Sequence, residues 1–238
     1  MNIEAIIFDK DGTLIDFDAF WVTVSINAIQ DILKNFGRED ISVQKILSLL
    51  GVRDGVTDID GVLCKGTYKQ MSEIIGGVLK GKNCDVSALG LEKLVLDAYN
   101  KNSVIGEIKP TCPDLKDVLI YLKNKGVKLG VVTTDNELIT RQCLGKLGVE
   151  ELFDKIYTDD GKTPTKPNPY CALEFCERFG LVKEQVAMVG DTLTDMSFAR
   201  NAGIKAIGVA KNLRNKEILA PFADVVLSSL SDLPSILK

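Results

Sequence analysis

The sequence predicts an α/β protein: a doubly wound parallel sheet, interrupted near its start by an inserted helical domain. Three observations carry this. Residues 3–8 (Ile-Glu-Ala-Ile-Ile-Phe) form a short apolar, β-branched run that stops at Asp9-Lys10-Asp11-Gly12-Thr13, the pattern of a buried strand entering a turn. From 16 to 105 the apolar residues follow a helical period and no convincing strand is found. After 106 short apolar strands alternate with amphipathic helices, which calls for a parallel sheet covered on both faces. Strand 3–8 cannot bury its apolar faces alone, so it joins that later sheet. The expected division is 1–15 and 106–238 for the α/β core and 16–105 for the insertion.

Within the insertion, Phe17, Phe20, Trp21, Val24, Ala28, Ile32 and Phe36 make one helical stripe closed by Gly37. A second short helix covers 42–50. Tyr68, Met71, Ile75, Val78 and Leu79 mark a third, and Val86, Leu89, Leu94, Ala98 and Tyr99 a fourth, making a small helical bundle. In the core, Pro113 and Gly126 frame a helix over 113–125. Then come strand 127–133, helix 135–147, strand 153–157, a Pro-rich loop and helix 168–179. Strand 186–190, helix 193–202, strand 206–209, a helix near 214–219, strand 224–227 and a last helix complete the chain.

Composition narrows the chemistry. The chain has 238 residues, 45% hydrophobic and 26% charged, which is ordinary soluble usage. There is no histidine. Ser-His-Asp triads, Cys-His dyads and imidazole-ligated zinc are excluded, and acid–base work falls to carboxylates, lysines or tyrosines. A net charge of −4 without a dense basic run argues against a nucleic-acid partner. No apolar run reaches the ~20 residues of a membrane span, and the start lacks a secretion signal, so a cytoplasmic protein is expected. The six cysteines contain no Cys-x-x-Cys pair and are expected as buried, reduced thiols.

Ligands of open parallel sheets bind beyond the carboxyl ends of the strands. There the sequence places Asp9 and Asp11, Thr133-Thr134-Asp135, Gly190-Asp191 and Asp195, with Lys166-Pro167 in the loop before helix 168–179. Carboxylates gathered at one edge repel one another unless a cation lies between them, and an all-oxygen set suits Mg²⁺. A lysine beside them points to an anionic substrate, most simply a phosphate. Each element alone admits an ordinary reading. Asp9 to Gly12 is a common turn pattern, Thr133-Thr134-Asp135 could simply cap the next helix with Asp135 as the cap, Lys166 could be a solvated loop residue with Lys162 as its rival, and Asp195 could be a surface helix residue. Lys10 is expected to face away from its neighbours and is given no role.

Phe8-Asp9-Lys10-Asp11-Gly12-Thr13-Leu14, Val131-Val132-Thr133, Lys166-Pro167-Asn168-Pro169 and Val189-Gly190-Asp191-Thr192-Leu193-Thr194-Asp195 together resemble the four motifs, in order, of the haloacid dehalogenase superfamily, specifically its Mg²⁺-dependent phosphatases. The insertion after the first motif resembles the cap of phosphoglycolate phosphatases and β-phosphoglucomutases. The resemblance implies Asp9 as nucleophile, Asp11 as acid and base, and a metal held by Asp9, Asp11 through its backbone carbonyl, and Asp191, with Asp195 in support. It implies Thr133, Thr134 and Lys166 as phosphate contacts. Arg53, Lys65 and Lys69 are the cap's candidates for touching an acidic substrate. The expected partner is a small phosphorylated metabolite, and the expected state a monomer or weak homodimer. A phosphomutase of this kind would carry a histidine where Trp21 stands; a non-catalytic binding protein on the same fold is the other alternative.

Two further segments mimic motifs. Asp58-Ile59-Asp60-Gly61-Val62-Leu63 repeats the first motif's pattern but follows no buried strand, so it is expected as a cap loop. Gly76-x-x-x-x-Gly81-Lys82-Asn83 nearly matches a phosphate-binding loop, yet lacks its Ser/Thr and follows a helix.

Overall fold

The computed structural model describes residues 1–58, 60–85, 87–104 and 107–237. They fall into two compact units, Met1–Asp16 with Ile108–Lys238, and Phe17–Glu107. The boundary expected at 105 and 106 lies outside the described residues.

In the first unit, β1 (Ala5–Phe8) is wholly buried. The second unit opens with a π-helical turn, Asp18–Val22, running into α1 (Thr23–Asn35). Next come α2 (Val43–Leu49), capped by the Ser42 hydroxyl, and a hairpin of β2 (Val52–Arg53) and β3 (Val56–Thr57). The hairpin corrects the expectation of no strand between 16 and 105. Its turn holds Asp54 at φ 51° and Gly55 at φ 76°, the left-handed pair that favours Asp-Gly in two-residue hairpins. The strands are only two residues long, too short for an alternation to show. α3 (Val62–Lys65) follows, then α4 (Tyr68–Lys80) with a capping box from Thr67 and Gln70, and α5 (Ala88–Ser103). Val86, the Leu89 side chain and Ile59 lie outside the described residues. The α5 stripe runs through Leu91, Val95, Ala98 and Tyr99, with Leu94 half-buried. Tyr99 is fully buried and donates to Ser25 Oγ of α1 at 3.1 Å, so α1 and α5 are joined by a hydrogen bond inside their apolar contact.

The first unit resumes with α6 (Leu115–Asn124), β4 (Lys128–Val132), α7 (Glu137–Leu147), β5 (Lys155–Tyr157) and α8 (Tyr170–Phe179). It ends with β6 (Val186–Gly190), α9 (Leu193–Ala202), β7 (Lys205–Val209), α10 (Leu213–Leu219), β8 (Val225–Leu227) and α11 (Leu233–Ile236). α6 starts two residues after Pro113, because Asp114 keeps a non-helical backbone. α7 starts after Asn136, whose side chain accepts from the Ile139 N–H at 3.0 Å. Asn136, not Asp135, is therefore the cap.

All six core strands are parallel, in the order β5-β4-β1-β6-β7-β8. Ala5 and Ile7 share a buried cluster with Phe175 of α8 and Met196, Phe198 and Ala199 of α9. Ile6 and Phe8 alternate to the opposite face, where Phe8 meets Phe153 edge to face. A central strand apolar on both faces has no room for a charge until it ends, and the first polar residue is Asp9. Chain order reverses at β1, which makes its carboxyl end the switch point where such sheets bind ligands.

Candidate active site

Phe8 pairs with Val131 of β4 on one side and with Val189 of β6 on the other. This register sets Asp9 level with Val132 and Gly190, so Thr133 and Asp191 leave their strands beside it. Asp9 is 7% exposed. Lys166 Nζ lies 2.5 Å from Asp9 Oδ1 and 2.7 Å from Asp195 Oδ1. Ligand oxygens of Asp9, Asp191 and Asp195 all lie within 4.8 Å of one another. Among the described residues this is the one group of His, Cys, Asp or Glu side chains arranged to hold a metal ion.

Asp195 is fully buried, which removes the surface-helix alternative. Its Oδ2 accepts from the Thr192 hydroxyl at 2.6 Å and the Thr192 N–H at 3.1 Å, closing the capping box of α9. One carboxylate thus caps a helix and anchors Lys166. Gly190 permits this, because a Cβ there would fall 2.4 Å from Asp195 Cβ. Asp191 Oδ1 accepts from Thr13 Oγ1 at 3.1 Å, which gives Thr13 a positioning part the sequence left unassigned. Gly12, at φ +86°, clears the space that Asp191 fills. The Lys166–Pro167 peptide bond is cis.

Three carboxylates against one ammonium leave an excess of negative charge. Burial pushes Asp9 up to about 7; Lys166 works against this, and Asp195 adds to it. Burial, then Asp9 and Asp195, raise Asp191 well above the ordinary carboxylate value. For Lys166, burial opposes the charge, but Asp195 and Asp9 outweigh it and hold its pKa above the ordinary lysine value. A divalent cation with a preference for oxygen relieves this repulsion, so the residues present fit Mg²⁺.

Thr133 is buried, donates its N–H to the Tyr157 carbonyl and accepts from the Asp135 N–H at its hydroxyl. Thr134 is exposed beside it. Asp11 lies outside the acidic trio. Its Oδ2 pairs with Lys10 Nζ at 2.6 Å, and the same ammonium meets Asp135 Oδ2 at 2.9 Å. Lys10 is therefore fully buried and ion-paired, correcting the expectation that its charge faces away. Burial opposes that charge, but Asp11 and Asp135 together hold its pKa above the ordinary lysine value. Burial and then Asp11 raise Asp135 to about 6, against the pull of Lys10. The signal in the sequence was a lysine between two aspartates at a buried strand end, where a cation persists only if paired. Arg53 lies in the other unit, exposed on the hairpin, and Lys65 there pairs with Asp60. Lys162 is exposed, and its N–H donates to Asp160. Four cysteines are buried, but Cys64 is exposed and Cys84 half-buried, correcting the expectation for those two. No helix among the described residues is long and apolar enough to cross a membrane.

An aspartate at the switch point of a parallel sheet, backed by a lysine and two further carboxylates that fit a cation, defines a class: α/β proteins whose ligand site is built from carboxylates. The family model for haloacid dehalogenase-like hydrolases matches residues 3–203, and the chain belongs to that family. A phosphoglycolate phosphatase of Nitrosospira multiformis is 27% identical over 203 residues, covering 85% of this chain and 81% of its own. Pyrophosphatase PpaX of Bacillus velezensis is 27% identical over 235 residues, covering 98% and 95%. The crystal structure of a HAD-superfamily hydrolase, subfamily IA, from Geobacter sulfurreducens superposes with a TM-score of 0.71 at 19% identity, covering 100% of this chain and 97% of that one.

Proposed function

We propose that the protein is a Mg²⁺-dependent phosphatase that hydrolyses a small phosphorylated metabolite through an aspartyl-phosphate on Asp9. The observation that carries this is the buried Asp9 carboxylate, held by Lys166 at 2.5 Å beside Asp191 and Asp195. The two named relatives support the substrate class, since both names denote release of a phosphoryl group from different leaving groups.

An Asp9 oxygen attacks phosphorus, and the bond to the leaving oxygen breaks with its electron pair going to that oxygen. Asp11 supplies the proton that the leaving group takes. Asp11 then takes a proton from water as that water attacks phosphorus. The Asp9–phosphorus bond breaks, releasing inorganic phosphate and restoring the carboxylate. Lys166 fixes Asp9 and balances charge, and Thr133, with Thr134 beside it, contacts the phosphoryl oxygens. Asp9, Asp191 and the Asp11 backbone carbonyl would hold Mg²⁺, with Asp195 supporting from behind through Lys166. When bound, the ion neutralises charge on the transferring group.

The unit Phe17–Glu107 serves as the cap that selects the leaving group, with Arg53, Lys65 and Lys69 as its contacts to an acidic substrate. The six free cysteines suit a reducing compartment, and the reading places a monomeric or weakly dimeric enzyme in the cytoplasm. The test is a panel of phosphorylated metabolites with and without Mg²⁺, wild type against Asp9→Asn. Wild type should release phosphate only with Mg²⁺, and the folded variant should turn over at least ~10³-fold more slowly. Hydrolysis by Asp9→Asn at the wild-type rate refutes the assignment.

A further inference from the structure

The site contains two buried lysines, and the chemistry above uses one. Lys166 joins Asp9 to Asp195. Lys10 joins a different pair, Asp11 at 2.6 Å and Asp135 at 2.9 Å, with none of its side chain exposed. Taking an ammonium out of water is costly. A hydrophobic residue of similar volume, placed where a buried ion pair stood, is often as stable or more so. A lysine here, one residue past an all-apolar strand, needs a reason beyond packing.

Its partners supply one. Asp135 is tied to the scaffold on both sides of its side chain. Its N–H donates to Thr133 Oγ1 at 3.2 Å, and its carbonyl accepts from the Asp159 N–H at 2.8 Å. The next residue, Asn136, caps α7. Asp11 sits in a tight turn whose Gly12 N–H donates to the Ile15 carbonyl at 2.8 Å. The Asp11 backbone is thus set by the turn, while its side chain is paired with the Lys10 ammonium. That contact engages Oδ2. Oδ1 is buried and has no hydrogen-bond partner among the described residues. Lys10 is thus the charge that sets the direction of the Asp11 carboxyl, and Asp135 in turn sets Lys10.

We infer that Lys10, braced by Asp135, is a positioning residue that holds the Asp11 carboxyl in the orientation from which it exchanges its proton with the leaving oxygen and then with water. The inference rests on the assignment of Asp11 as the acid–base group. It assigns Lys10 and Asp135 to proton transfer, and Lys166 and Asp195 to the nucleophile.

Leaving-group dependence separates this role from a merely structural one. An alkyl phosphate needs its leaving oxygen protonated, whereas an aryl phosphate such as p-nitrophenyl phosphate leaves with little help. Wild type, Lys10→Met, Asp135→Asn and Asp11→Asn are loaded with Mg²⁺. The rate of phosphoenzyme formation is measured by rapid quench with p-nitrophenyl phosphate and with glycerol phosphate, with melting curves recorded for each protein. Lys10→Met should slow the alkyl reaction by about 10–100-fold and the aryl reaction by less than about threefold, with little change in KM. Asp135→Asn changes almost no volume, and should show the same split more weakly even if Lys10→Met folds poorly. Equal slowing of both donors, or no slowing of either, by the folded variants overturns the inference. If Asp11→Asn keeps the alkyl rate, the assignment of Asp11 itself fails. If Asp11→Asn shows the split while Lys10→Met and Asp135→Asn do not, only the positioning role falls.

Discussion

Gly12→Ala probes the acidic pair without touching a charge. A Cβ on Gly12 would lie 2.1 Å from Asp191 Oδ2, 2.6 Å from its Cγ and 2.8 Å from Oδ1, where ordinary contact begins near 3.4 Å. Something must therefore move by about 1 Å. The backbone at residue 12 is held by the Ile15 carbonyl and by Thr13, whose hydroxyl reaches Asp191, so the carboxylate gives way and its bond from Thr13 is lost. That bond is worth roughly 1 kcal/mol. An alanine at φ +86° costs about 1–2 kcal/mol more. The total, about 2–3 kcal/mol, lowers the melting temperature by roughly 4–12 °C in a chain of this size. Function should suffer more than stability. A 1 Å misplacement of a positioning group costs on the order of 100-fold in turnover, and Mg²⁺ affinity should fall about 10–100-fold. Calorimetric titration with Mg²⁺ and turnover at saturating Mg²⁺ measure the two effects separately. A variant that binds Mg²⁺ and turns over within about threefold of wild type would show that Asp191 is not where the ion is held.

Lys166→Met leaves Asp9 and Asp195 buried without their cation. Breaking such a pair costs about 3–5 kcal/mol, so turnover should vanish and melting should fall by at least about 6 °C, partly restored by Mg²⁺; unchanged melting would show the pair to be unimportant to the fold. Asp154 accepts from Lys123, Lys128 and the Leu129 N–H at 2.7, 3.1 and 2.9 Å. Burial works against its charge, but these donors hold its carboxyl below the ordinary 3.8. Its folded pKa lies under its unfolded one, so its stabilisation is full above pH ~4 and is lost as the pH falls further. Asp154→Asn should therefore destabilise by roughly 1–2 kcal/mol at pH 7 and much less at pH 3; an equal loss at both pH values would contradict this.

The elements that sequence reasoning reached share a property. Each announces itself through several residues, as β1 and β6 do through unbroken apolar runs and α4 through its stripe. What it missed depends on partners far along the chain. Lys10 reads as a stray charge until Asp135 is brought beside it. Thr13 gains meaning only when β6 delivers Asp191. The hairpin at Asp54-Gly55 carried a local signal, but two-residue strands gave that signal nothing to flank. Arg53 was singled out for its charge alone, and neither charge nor exposure assigns it a ligand.

The position of β1 at the centre of the sheet has a consequence for how the chain is made. Its neighbours are β4 and β6, and Ala5 pairs with Val186. During synthesis this wholly buried strand emerges before either neighbour exists. At about 5–20 residues per second it waits on the order of ten seconds or more for β6. The Phe17–Glu107 unit suffers no such delay, since α1, α4 and α5 pack within it. It can be complete while Ile6, Ile7 and Phe8 are still exposed. The strand that ends at Asp9 is thus the segment most in need of protection on the ribosome. A mutation that slows the later strands should show first as aggregation of nascent chains, with the finished enzyme no less active per molecule.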